Sequence, residues 1–137
     1  MGPKGIAVVI LNWNGKALLE RFLPSLTRFS GGASIYLADN ASTDASVSFV
    51  ESTYPEIRII RNTENSGFAG GYNTALREVD EDIYCLLNSD VEVTEGWLEP
   101  VLAHFREFPE TAVIQPKIKD LLRPSHFEYA GAAGGFL

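Results

Sequence analysis

The chain has 137 residues, a formal net charge of -7, 45% hydrophobic residues and 21% charged ones. That is the size and balance of one ordinary domain with a buried core, which excludes a disordered chain and makes a second domain unexpected. The negative charge, with Lys and Arg scattered, excludes the basic footprint of a nucleic-acid binder, so an anionic ligand must be held by local geometry or a metal.

The longest aliphatic run, Ile6 to Leu11, is far short of the roughly 20 residues that cross a bilayer. Cys85 is the single cysteine and cannot form an intramolecular disulfide, which fits a reducing compartment. A cytoplasmic chain is the expectation, with the inner face of a membrane left open as a peripheral contact.

Ile6 to Leu11 is continuous and β-branched, the composition of a central parallel strand, and Asn12-Trp13-Asn14-Gly15 ends it. From Lys16 to Phe29, Leu19, Phe22, Leu23 and Leu26 recur at helical spacing. Pro24 is expected to kink this helix or end its first segment. Ser34 to Ala38 reads as a second strand, Asp39 to Asp44 as a polar loop, and Val47 to Tyr54 as a short helix stopped by Pro55. A third strand is expected at Ile57 to Ile60, then a loop from Asn62 to Gly71, then a helix through Thr74 to Asp80.

Ile83-Tyr84-Cys85-Leu86-Leu87 breaks abruptly into Asn88-Ser89-Asp90-Val91-Glu92. An unbroken apolar run flanked by charge reads as a strand buried on both faces. Trp97 to Phe105 keeps helical spacing, and a fifth strand is expected at Ala112 to Pro116. The small residues from Ala130 to Gly135 carry no assignment. Strand and helix thus alternate, the pattern of an open, mostly parallel α/β sheet flanked by helices.

In such a sheet ligands gather at the carboxyl ends of the strands. Four loops leave there: Asn12 to Gly15, Asp39 to Asp44, Asn62 to Gly71 and Asn88 to Glu92. Trp13 can stack on a base or pack on the sheet. Asp39 can accept a hydrogen bond from a base N–H or ribose hydroxyl, or simply turn its own loop. The glycines of Asn65-Ser66-Gly67-Phe68-Ala69-Gly70-Gly71-Tyr72-Asn73 let backbone N–H groups approach a phosphate, although the Lys-Ser/Thr of a P-loop is absent. Asp90, beside Ser89 and Asn88, has the chemistry of a hard-cation ligand for Mg²⁺ or Mn²⁺, with phosphate oxygens filling other positions.

These four motifs, in this order, resemble glycosyltransferase family 2, especially its rhamnosyltransferase-like members. The resemblance implies a GT-A (Rossmann-like) fold and inverting transfer of a sugar from a nucleotide diphosphate donor, UDP- or dTDP-linked, to a saccharide or lipid-linked acceptor. It also implies a divalent cation at the motif called DxD. Carried over by position, Leu11 and Trp13 would flank the base and Asp39 would bond its imide N–H. Asn65, Gly67 and Asn73 would lie by the diphosphate and sugar with Ser89 alongside, and Asp90 would be the metal carboxylate. Asn88 stands at the first acidic position of DxD, so one ligand charge is absent. Family members continue past the equivalent of Leu137, so residues 1–137 are expected to be a single donor-binding domain cut short at its C-terminus, with the catalytic base beyond it. Two other readings compete: a non-catalytic nucleotide-binding or regulatory α/β domain, and a nucleotidyltransferase, whose basic Gly-rich first loop is missing here.

Overall fold

The computed structural model describes residues 5–129, which fall into two compact units, one up to Trp97 and one from Leu98. In the first, β1 (Ile6–Asn12), α1 (Lys16–Phe29), β2 (Ser34–Asp39), α2 (Ser46–Thr53), β3 (Arg58–Arg61), α3 (Gly67–Ala75) and β4 (Ile83–Leu87) alternate along the chain. The four strands form one parallel sheet in the order β3-β2-β1-β4, the expected α/β architecture.

β1 is central because it can be: Ile6 to Ile10 are at most 2% exposed, which only a strand covered on both faces achieves. Alternation sends Ala7 and Val9 of β1, with Tyr36 and Ala38 of β2, to the face covered by Tyr72, Ala75 and Val79. Ile10 lies instead with Leu19, Phe22, Leu23 and Leu26 of α1. Pro24 neither ends α1 nor splits it, since the helix runs unbroken from Lys16 to Phe29. The Ser25 and Thr27 hydroxyls around it donate to the carbonyls of Phe22 and Leu23, each at 3.0 Å.

Four sequence expectations change. β4 is not buried on both faces: Tyr84 is 45% and Leu86 49% exposed, because among the described residues β4 ends the sheet and pairs with β1 alone. Helix α3 begins at Gly67, inside the stretch read as loop, and ends at Ala75, after which Leu76–Glu78 is a single 3-10 turn. Glycine's poor helix propensity hid this start; packing against β1 and β2 overrides it. In the second unit α4 spans Glu99–Glu107 with Pro100 in its first turn, so Trp97 precedes the helix. Residues 112–116 form no strand. Ile118–Lys119 (β5) instead pairs antiparallel with Phe127–Tyr129 (β6). The stretch from Ala130 to Gly135 lies outside the described residues.

Candidate functional site

Parallel register decides which loops meet. Asn12 pairs with Asp39, Asp39 with Arg61, and Ile10 with Leu87, so the segments after β1, β2, β3 and β4 all leave the sheet at its carboxyl edge. Three asparagines, each just at or past a strand end, then bind these loops together. Asn12, Asn40 and Asn62 are buried to 1%, 2% and 7% exposure.

The Asn12 amide nitrogen lies 2.9 Å from Asp39 Oδ1, 3.0 Å from Ser42 Oγ and 2.9 Å from Ser46 Oγ. Its carbonyl oxygen accepts from the Gly15 N–H at 3.2 Å, so one side chain closes its own loop and fastens the next. Asn14 repeats the link from the exposed side: its carbonyl oxygen accepts from the backbone of Thr43 at 2.7 Å and Asp44 at 3.1 Å. Asn14 has φ 51° and Ala41 φ 61°, the left-handed region. Asn tolerates it and Ala does so at a cost of roughly 1–2 kcal/mol.

The second half of the rim is built the same way. Asn40 donates to Asn65 Oδ1 and to the Gly67 carbonyl, both at 3.0 Å. Asn62 donates to Asn40 Oδ1 at 2.9 Å and to the Gly71 carbonyl at 3.1 Å. Asn65 Oδ1 also accepts from the Gly67 N–H at 3.0 Å, where φ of 75° swings the chain into α3. Gly71 seats α3 against this lattice, since a Cβ there would stand 2.8 Å from both Asn40 Nδ2 and Leu11 Cδ1. Among the described residues the Asn62 carbonyl oxygen is the one buried side-chain polar atom without a partner.

The residues singled out from the sequence occupy different situations on this rim. The Trp13 indole is 59% exposed rather than packed on the sheet. Asp39 is 4% exposed, and its second carboxylate oxygen accepts from the Ser42 N–H at 3.0 Å, so it turns its own loop while keeping lone pairs free. Leu11 packs against the α3 face of the core. Asn65, Gly67 and Asn73 are exposed on and before α3, Ser89 is half-buried, and Asp90 is exposed on the turn after β4. Among the described residues no side chain bonds Asp90, and no three His, Cys, Asp or Glu side chains cluster as a preformed metal cage. The donors after β4 are all oxygens, from Asp90 with Asn88 and Glu92 exposed near it in the chain. That set fits a cation such as Mg²⁺ or Mn²⁺, which takes one or two carboxylates and completes its shell with ligand phosphates and water.

Sequence reasoning passed over Asn40 and Asn62 as loop residues and gave Asn12 no role. The available signal was an asparagine at the carboxyl end of three successive strands. Cys85, expected in the core, is a half-buried free thiol of β4, pushed up to about 11 by burial.

The family model described as glycosyl transferase family 2 matches residues 7–129. The chain belongs to this family. It is 27% identical over 127 residues to the N-acetylglucosaminyl-diphospho-decaprenol L-rhamnosyltransferase of Mycobacterium tuberculosis, an alignment covering 84% of this chain and 41% of that enzyme. Its fold matches that of S. aureus TarS 1-349 in complex with UDP-GlcNAc, with a TM-score of 0.69 and 19% identity over 85% of this chain and 38% of that one. It also matches the mannosyltransferase PcManGT from Pyrobaculum calidifontis in complex with GDP-Man and Mn²⁺, with a TM-score of 0.63 and 21% identity over 87% and 34%. The chain therefore spans less than half the length of each of these proteins. No described helix is long and apolar enough to cross a membrane.

Proposed function

We propose that this family 2 chain is the donor-binding part of an inverting glycosyltransferase, taking a UDP- or dTDP-linked sugar and passing it to a saccharide or lipid-linked acceptor. The observation that carries the reading is the asparagine lattice, which holds three strand-end loops at the edge from which Asp90 also leaves. In this reading the Trp13 indole stacks on the base, and Asp39, held by Asn12 and the Ser42 N–H, presents a free lone pair to the base imide. Asn65, Gly67 and Asn73 line the diphosphate and sugar side at the start of α3, with Ser89 beside Asp90. Asp90 holds Mg²⁺ or Mn²⁺; when bound, the cation supplies charge neutralisation for the departing diphosphate. An acidic chain needs that local charge, because its overall field repels the ligand.

An inverting displacement also needs a base on the face opposite the leaving group. We look for it outside residues 1–137, which is supported by the share of the relatives' length that this chain covers. In this reading the protein works on the cytoplasmic side, in envelope polysaccharide synthesis, with any peripheral membrane contact lying outside residues 1–137.

Calorimetry with UDP and dTDP, with and without Mn²⁺, tests the reading. Binding that strengthens with the cation and loses that gain in Asp90→Ala supports it. Binding indifferent to both fits the non-catalytic nucleotide-binding alternative, and no binding of either nucleotide refutes the donor site.

A further inference from the structure

Tyr72, a buried residue of α3, links that helix to the end of β4. It is 3% exposed, and its hydroxyl lies 3.1 Å from the Leu87 carbonyl and 3.4 Å from the Val9 carbonyl. A phenol has one proton to give, so the nearer Leu87 oxygen is the acceptor and Val9 a weaker second neighbour. Burial pushes this hydroxyl up to about 12, which keeps the proton in place at any ordinary working pH.

Leu87 is the last residue of β4, and Asn88, Ser89 and Asp90 follow it directly. β4 has a strand neighbour on one side only among the described residues, so its exit is held by β1 and by Tyr72. The helix that carries Tyr72 starts at Gly67, where Asn65 and the Gly67 carbonyl are bonded to Asn40. Phe68, 63% exposed in the first turn of α3, meets the Tyr72 ring edge-on at 5.0 Å. One short helix thus connects the loops fastened by asparagine to the turn that bears the exposed carboxylate.

We propose that Tyr72 is a positioning residue: its hydroxyl fixes the exit of β4, so that Asp90 is held at a set place relative to the first turn of α3. The proposal rests on the reading of Asp90 as the cation's carboxylate. Tyr72 itself touches neither cation nor nucleotide. It acts as outer partners of metal ligands do, by restricting where the ligand's backbone starts. Tyr72→Phe keeps the ring and its packing and removes the donor alone.

The test compares the unaltered chain, Tyr72→Phe and Asp90→Ala by UDP calorimetry with and without Mn²⁺, alongside backbone hydrogen exchange. The expected result for Tyr72→Phe is unchanged metal-free affinity for UDP, an Mn²⁺ gain reduced about tenfold, and faster exchange at residues 88–90 with β1 unaltered. A full Mn²⁺ gain in Tyr72→Phe, lost in Asp90→Ala, overturns the positioning role and leaves the cation reading standing. A gain that survives Asp90→Ala removes the cation reading and this proposal with it. A Tyr72→Phe chain that no longer folds, or that loses metal-free UDP affinity equally, also overturns it, because the hydroxyl would then be a general structural group.

Discussion

The two edges of the parallel sheet use polar side chains in opposite ways. At the carboxyl edge the buried groups are chiefly neutral amides, Asn12, Asn40 and Asn62, each bonded to a different loop. At the amino edge Arg58 donates to the Tyr36 hydroxyl at 2.7 Å, that hydroxyl donates to Glu81 at 3.0 Å, and Arg58 and Glu81 stand 3.8 Å apart. A groove of about 320 Å³ opens there beside Ser30, Gly32 and Ser34, yet its guanidinium is already committed to Tyr36 and Glu81. The difference is instructive. Neutral amides are cheaper to bury than charges: the amides lie inside and shape the loops while leaving Trp13, Asn65 and Asp90 turned outward, whereas the Arg58 side chain stays 64% exposed. Charged residues that satisfy one another knit strands and offer a ligand little.

The largest expected effect comes from breaking the amide edge at its centre. Asn12→Ala removes the partner of buried Asp39 and Ser46 together with the Gly15 contact, and should cost about 3 kcal/mol in urea unfolding. A cost below about 1 kcal/mol would mean that the lattice does not hold the loops. Gly71→Ala forces a methyl to within 2.8 Å of Asn40 and Leu11. About 2 kcal/mol of destabilisation is expected, with weaker nucleotide binding, because α3 is pushed off the rim.

The charged edge sharpens the contrast through pH. Burial alone would raise the Glu81 carboxyl, but hydrogen bonds from Ser34, its own backbone and Tyr36, with Arg58 nearby, outweigh it and hold the group below the usual glutamate range. A carboxyl lowered on folding stabilises above its unfolded value, and that stability is lost as pH falls through the folded one. Glu81→Gln should therefore flatten part of the acid-induced loss of stability, measured as Tm against pH, and leave UDP affinity unchanged. Asp44 and Asp120 are also lowered, so some acid sensitivity will remain. The smallest effect is Ala41→Gly, which relieves the left-handed backbone at φ 61° and should gain about 0.5 kcal/mol after the entropic cost of glycine.

Much of this edge was legible from residue types. The apolar runs of β1 and β2 and the stripe of Leu19, Phe22, Leu23 and Leu26 placed strand, helix and loop within a residue or so, because period and burial agree there. β4 misled because an unbroken apolar run looks the same whether a strand is central or last in its sheet; neighbour count, not composition, exposes Tyr84 and Leu86. The start of α3 was missed because Gly67, Gly70 and Gly71 read as loop residues until the close seat against Asn40 is seen. The convergence of loops could be argued from topology, but the amide partners that enforce it are long-range and leave no periodic trace.

If the proposed site is correct, the nucleotide meets three fastened loops and the turn after β4 at a single edge. Backbone amide NMR shifts on adding UDP with Mg²⁺ read that edge residue by residue. Shifts are expected within residues 12–15, 39–44, 65–73 and 88–92 together, and none within 30–35 or 56–58. Shifts concentrated at the amino edge, or confined to one of the four segments, would contradict binding at the carboxyl edge.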